Sequence, residues 1–379
     1  MKHKKISAVL AALVVAASAF VPLGAARAAY RFSDFQGKPP VHIYKSAQSA
    51  PSGMTPAQIK KIYNLPTAGG KGTLALIDAY DDANMESDLA VFDKQFNLPS
   101  CTTANGCFEK HKMATSTASN SGWAMETSLD VEWAHAIAPS AKILLVEAKT
   151  PSGANLLSAI DYAAARKDVV AVSMSWGGAE FSDELSYDSH FVSKTSSTIA
   201  FFASSGDDGT GASWPASSPS VIGVGGTSLQ VSSSGAFVAE TAWSGSGGGV
   251  SAYEKEPAFQ AAYKISKANG MRAIPDVSYD ADPASGYPVY LTTGAGSKAK
   301  GSWNEVGGTS AGSPQWAAIQ ALGGSAALAK FYTDKASTST LKYFRDITSG
   351  SNGTCAYYCD ARKRYDYVTG LGSPQTVKF

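Results

Sequence analysis

The chain has 379 residues, 44% of them hydrophobic and 17% charged, with 32 basic residues against 31 acidic ones. A balance so close to zero, without a long basic run, argues against a nucleic-acid partner. Past the amino-terminal stretch no segment is apolar enough to span a bilayer, which argues against an integral membrane protein.

The chain opens Met1-Lys2-His3-Lys4-Lys5, and an apolar run from Ile6 to about Leu23 leads to Ala26-Arg27-Ala28. A basic start, a short apolar run and a small-x-small site form the pattern of a secretory signal peptide over residues 1–28, so a secreted, extracellular protein is expected. Its removal takes away Lys2, Lys4, Lys5 and Arg27 and no acid, leaving a slightly acidic mature chain. Residues 29–55 are polar, contain Lys38-Pro39-Pro40, and show no sustained apolar period. They read as a short pro-segment or a flexible arm.

Residues 56–379 read as one large α/β domain. Apolar runs of β type at Leu74 to Ile77, Ile143 to Val146, Val169 to Val172, Ile199 to Ala203 and Val221 to Val224 predict strands. Between them Glu86 to Phe96, Ala124 to Ile137, Asn155 to Arg166 and Asp183 to Ser193 carry helical patterns, the third capped by Asn155. Such alternation implies a mostly parallel sheet with helices on both faces and functional groups at the carboxyl ends of its strands. Four cysteines form two close pairs, Cys101 with Cys107 and Cys355 with Cys359. In an exported chain each pair is expected to close a small loop; a four-cysteine metal site is the competing reading, disfavoured because neither pair has CxxC spacing.

The sharpest local signal is Gly307-Gly308-Thr309-Ser310-Ala311-Gly312-Ser313-Pro314, followed by a helical pattern from Gln315 to Leu322. Small residues permit a tight turn, and the helix start favours negative charge developing beside Ser310, a nucleophile candidate. The plainer reading is an N-cap serine. A serine needs a base. His135 in Trp133-Ala134-His135-Ala136 is the one serious histidine candidate, with Asp78 at the end of the first strand as its acid. Carboxylates offer another base: Glu126 and Asp130 are four apart, so a helix points them the same way and they can share a proton. Glu132 falls on another face and is expected to be solvated. At the end of the strand 199–203 lies Gly206-Asp207-Asp208-Gly209, where a protonated aspartate could donate to an oxyanion, or simply shape a turn.

Taken together, these segments resemble the sedolisin family, the serine-carboxyl peptidases of the subtilisin-like superfamily. The resemblance runs from Met54 to Pro66, through Ile77 to Asp82, to Tyr365 to Gly372, and keeps the order of the E-x-x-x-D, S-G-D and G-T-S-x-x-S-P elements. It implies a subtilisin-like, mostly parallel sheet in a single catalytic domain. Ser310 would be the nucleophile, Glu126 its base, Asp130 the orienter of Glu126 and Asp207 the oxyanion donor. Ser175, Trp176 and Gly177 resemble the stretch whose backbone pairs with an extended substrate.

The resemblance also implies a calcium (Ca2+) site made of Asp346, Ile347, Arg362, Arg364 and Asp366, two carboxylates plus main-chain carbonyls. Arg362 and Arg364 stand where the family favours glycine, and typical members carry a far larger pro-segment. The expected function is a secreted, monomeric endopeptidase acting on proteins or peptides at acidic pH. Two alternatives remain: a neutral subtilisin-like enzyme using His135 and Asp78, and a non-catalytic, calcium-stabilised binding protein.

Overall fold

The computed structural model describes residues 30–115, 118–294, 299–324, 328–333 and 343–378; the expected signal peptide lies outside the described residues. An eight-stranded sheet runs Phe237–Ala242, Ile222–Val231, Ala200–Ser204, Val169–Met174, Thr73–Ala79, Lys142–Ala148 and Phe108–Lys112, with Val277–Asp280 pairing onto Ile222–Val231. All of these pairs are parallel except the one made by Phe237–Ala242. Each predicted strand is present.

The central strand shows why both faces are covered. Leu74 and Leu76 enter one core and Ala75 and Ile77 the other, because successive side chains alternate across a strand. The first core holds the helices Ser121–Ile137 and Gly312–Ala321, the second the helix Gly153–Ala164. Crossover helices on a parallel sheet leave no wet face, so the strands read as near-continuous apolar runs.

Three local expectations change. The helix predicted over Asp183 to Ser193 is a 3-10 stretch, Glu184–His190. There the buried Glu184 accepts from Phe181 N (3.0 Å) and Ser217 Oγ (3.1 Å), local bonds that compete with a regular helix. The helix Gly153–Ala164 starts before Asn155, whose amide instead bonds Thr150 Oγ1 at 2.7 Å. Third, residues 30–55 are docked against the domain, which replaces the flexible-arm reading. Phe35 is fully buried among Trp176, Phe181 and Trp214, and His42–Gln48 pairs antiparallel with Lys300–Gly307.

Both cysteine pairs are disulfides, Cys101–Cys107 and Cys355–Cys359. Among the described residues no helix is long and apolar enough to cross a membrane.

Candidate active site

The strand Lys300–Gly307 ends at Gly308, whose φ of +132° lies in the left-handed region. A Cβ there would come within 2.0 Å of the Pro40 carbonyl oxygen and 2.6 Å of Asp207 Oδ2, so only glycine lets the chain pass. Next comes the short turn Thr309–Ala311 and then the helix Gly312–Ala321, which leaves the buried Ser310 at a helix start. Ser310 Oγ donates to Pro40 O at 2.7 Å.

The acids come from the helix Ser121–Ile137, started by Asn120, whose side chain accepts from Gly122 N (3.0 Å) and Trp123 N (3.1 Å). A helix with an apolar majority all round belongs inside a domain, and residues 125–137 are buried without exception. Glu126 and Asp130 are therefore carried into the interior. Ser175 Oγ donates to Asp130 Oδ1 at 2.7 Å, and Glu126 faces both Ser310 and Asp130. Burial foremost, then the neighbouring Asp130 and Asp78, hold Glu126 well above the usual carboxylate range, while Ser310 acts in the opposite direction. Burial pushes Asp130 up to about 8 against the hydrogen bonds of Ser175 and Glu126. Asp78, buried with both oxygens unpaired, is raised by burial and then by Asp130. Three carboxyls this close cannot all be charged, so they share protons.

Asp207 follows the strand Ala200–Ser204. Its Oδ1 accepts from Thr309 N (2.8 Å) and Thr309 Oγ1 (2.7 Å), and His42 Nε2 lies 3.1 Å from Oδ2. Burial raises its pKa, opposed first by His42 and then by Thr309. Ser310, Asp130 and Asp207 thus all lie within reach of Glu126. Asp78, Ser175 and Asp207 all lie at or just past carboxyl ends of strands.

Gly177 exchanges both backbone hydrogen bonds with Lys38 (3.0 and 3.1 Å), while Trp176 is buried and donates from Nε1 to Ile77 O. A cavity of about 590 Å³ lies beside this segment, lined by Pro40, Gly177, Ala179, Asp207, Thr210 and Ser213. Two roles were not read from the sequence. Ser175 holds Asp130, and Thr309 holds Asp207. The signal was present in the G-T-S motif, but what its threonine touches depends on a contact 102 residues away.

Two expectations are corrected. His135 is no base for Ser310: its Nε2 donates to Pro99 O at 2.8 Å and lies 3.4 Å from Asp93 Oδ1, and burial lowers its pKa. It adjoins Cys101 and Cys107, whose sulfurs are spent on each other and cannot ligate a metal. Glu132 is fully buried, not solvated, and accepts from Tyr290 N at 3.0 Å. The helix is enclosed by the sheet on one side and the 287–307 hairpin on another, so it has no wet face to offer.

Of the set expected for calcium, Asp346 and Asp366 lie beside the backbone of residues 362–364. Asp346 accepts Arg364 N–H on both oxygens (3.0 and 2.9 Å), and Asp366 accepts Arg362 N–H at 3.0 Å. Arg364 keeps the left-handed φ (+67°) expected of a glycine there. The Arg362 guanidinium is drawn away, to Asp360 (3.2 Å) and over the Tyr357 ring (4.5 Å). Burial pushes Asp366 up to about 7 against the lowering effect of its N–H and O–H donors from Arg362, Thr369 and Val368. Two carboxylates on loops are hard oxygen donors of the kind calcium takes.

A serine at a helix start, served by buried carboxylates on a mostly parallel sheet, defines a subtilisin-like peptidase scaffold in which acids stand where histidine is usual. Comparison with known proteins agrees. The subtilase family model matches residues 112–344, and the chain belongs to that family, in its sedolisin form. The chain is 28% identical to sedolisin of Pseudomonas sp. (strain 101) over 88% of its own length and 61% of that protein's. It is 29% identical to kumamolisin of Bacillus sp. (strain MN-32), over 88% of this chain and 64% of that one. The chain therefore spans less than two thirds of these relatives. The solved structure of Pseudomonas sedolisin, a serine-carboxyl proteinase complexed with two molecules of pseudo-iodotyrostatin, superposes with a TM-score of 0.69 at 27% identity, covering 86% of this chain and 96% of that one.

Proposed function

We propose that the protein is a serine-carboxyl endopeptidase that hydrolyses peptide bonds in proteins or peptides at acidic pH. The observation that carries this reading is that Ser310, Asp130 and Asp207 all lie within reach of the buried Glu126, with Ser310 Oγ 2.7 Å from the Pro40 carbonyl oxygen. In the proposed reaction Ser310 Oγ attacks the carbonyl carbon and its proton passes to Glu126, with Asp130 sharing the resulting proton load. The oxyanion takes a hydrogen bond from protonated Asp207. Glu126 then returns the proton to the leaving amine, and a water attacking the acyl-enzyme repeats the steps in reverse.

Acid operation follows from the sign of each titration. Activity falls as pH rises through the pKa of Asp207, because its carboxylate repels an oxyanion. It also falls once the carboxyl pair holds its last proton and can accept none. Calcium bound by Asp346, Ile347, Arg362, Arg364 and Asp366 would supply a structural clamp for the 346–366 loop, with no part in bond cleavage. Secretion and a monomeric state complete the reading, supported by the leader-like start of the sequence and the two disulfides.

The test is casein digestion across pH. The wild-type chain is expected to cleave at about pH 4 and lose activity towards neutrality, with Ser310→Ala and Glu126→Gln each down by at least about a thousandfold. An Ser310→Ala variant as active as wild type would end the proposal. Chelation is expected to lower the melting temperature by several degrees, about the effect of losing 1–2 kcal/mol, and added calcium to restore it.

A further inference from the structure

Away from the cleft, a second group of chemically active side chains meets where three elements pack. Cys101 and Cys107 bracket the loop that leads into the strand Phe108–Lys112, His135 stands near the end of the helix Ser121–Ile137, and Asp93 belongs to the helix Met85–Phe96. The two sulfurs and an imidazole nitrogen of His135 all lie within 4.8 Å of one another. A tetrahedral ion with bonds of about 2.0–2.3 Å holds its ligand atoms about 3.3–3.8 Å apart, so this spacing is close to what one ion requires. Closed as a disulfide the sulfurs can ligate nothing; as a pair of thiols they can.

The imidazole is already arranged as a ligand. Pro99 O can only accept, so Nε2, 2.8 Å away, carries the proton and the lone pair falls to Nδ1. Nδ1 is buried and has no hydrogen-bond partner among the described residues, an uncommon state for a polar atom in a fully buried side chain. Asp93 backs it: Oδ1 is 3.4 Å from Nε2, and Oδ2 accepts Cys101 N–H at 3.1 Å. A carboxylate on the far nitrogen is the usual outer partner of a metal-bound histidine. Charge agrees, because two thiolates cancel a divalent ion and leave a neutral complex, which suits residues as buried as Cys101 and His135. Sulfur beside imidazole selects zinc over calcium or magnesium.

We propose that Cys101, Cys107 and His135, with Asp93 as the outer partner of the imidazole, form a zinc site that opens when the Cys101–Cys107 disulfide is reduced. A thiolate of a dithiol attacks the sulfur of Cys107, the more exposed of the two; the S–S bond breaks and Cys101 leaves as a thiolate. The second thiol of the reductant attacks the mixed disulfide, frees Cys107 and leaves the reductant as its own disulfide, two electrons having passed to the protein. Zinc then displaces the protons that the two sulfurs have taken up. The loop 101–107 is thus fastened by a covalent bond in oxidising surroundings and by the metal in reducing ones.

The test uses the full-length chain carrying Cys355→Ser and Cys359→Ser, so that two thiols remain. It is reduced with a phosphine, which becomes the phosphine oxide with the oxygen of a water as the disulfide becomes two thiols. Near pH 7 the reduced and disulfide forms are titrated with cobalt(II) and then with zinc. The reduced form is expected to bind one cobalt ion with a sulfur-to-metal charge-transfer band and the strong visible bands of tetrahedral coordination. Zinc is expected to displace it with a Kd of about 10⁻⁸ M or tighter, and the disulfide form to bind at least about 100-fold more weakly. His135→Gln is expected to weaken zinc by at least about 100-fold and Asp93→Asn by about 10- to 100-fold. Zinc is also expected to raise the melting temperature of the reduced form more than that of the disulfide form, a readout that holds even where reduction loosens the fold. A reduced chain with neither a sulfur–cobalt band nor a gain in melting temperature would overturn the site. So would binding undiminished in His135→Gln, or in a chain that also carries Cys101→Ser and Cys107→Ser.

Discussion

In the proposed reaction Asp207 is the residue on which the pH behaviour turns. Burial raises its pKa, and His42 and Thr309 oppose that rise. An aspartate can donate to an oxyanion only with its proton on, whereas an asparagine amide donates at any pH. Asp207→Asn is therefore expected to remain active in acid and to carry its activity further towards neutral pH than wild type. Asp207→Ala, with no donor, is expected to lose about 100- to 1000-fold in kcat. The measurement is kcat across pH for both variants; an asparagine variant that declines at the same pH as wild type would remove Asp207 from the role of oxyanion donor. Thr309 belongs to the same argument, since its N–H and hydroxyl fix the orientation of the carboxyl that donates.

At the scale of elements, the helix Ser121–Ile137 concentrates buried acids: Glu126, Asp130 and Glu132 are all without solvent exposure. Glu132 takes no part in the proposed chemistry. Burial, with Asp88, Asp93 and Asp82 adding to it, keeps it protonated well above the ordinary range, while the Tyr290 N–H opposes this. Holding a proton that the unfolded chain has released costs about 1.4 kcal/mol per pH unit above the unfolded pKa. Glutamine keeps the carbonyl acceptor for Tyr290 and does not titrate. Glu132→Gln is thus expected to match wild type in melting temperature near pH 4 and to exceed it near pH 7, by several degrees. Equal melting curves at both pH values would mean that Glu132 finds compensation for its charge.

The whole molecule carries the same sign many times over. Burial is the leading cause of rises that bring Asp82 to about 6, Asp93 and Glu147 to about 7, and Asp130 and Glu254 to about 8. Each of these acids has its folded pKa above its unfolded value, so the unfolded chain sheds protons first and stability falls as pH rises between the two. The protein is expected to be most stable in acid and to lose melting temperature steadily from about pH 5 to 8. Calorimetry over that range checks it, and a melting temperature that climbs towards neutrality would contradict the sign. An interior of this kind suits a molecule kept in acid, where carboxyls such as Asp82, Asp93, Glu147 and Glu254 hold their protons.

How much of this was legible beforehand follows from the range of the interactions involved. Strands and most helices were set by local periodicity: Leu74 to Ile77 alternates between two cores, and small residues after Thr309 must turn before a helix. The spacing of Glu126 and Asp130 placed both on one face of one helix without any tertiary knowledge. What that face meets was beyond the sequence, as were the burial of Glu132, the retirement of His135 to Pro99, and the grip of Ser175 on Asp130. Those depend on segments tens to hundreds of residues apart arriving at one place. The polar stretch 29–55 shows the limit most clearly: it lacks a periodic apolar face, so nothing local predicts order, and it is held instead by one buried ring at Phe35, the backbone pairing of Lys38 with Gly177, and a strand whose partner lies some 260 residues further on.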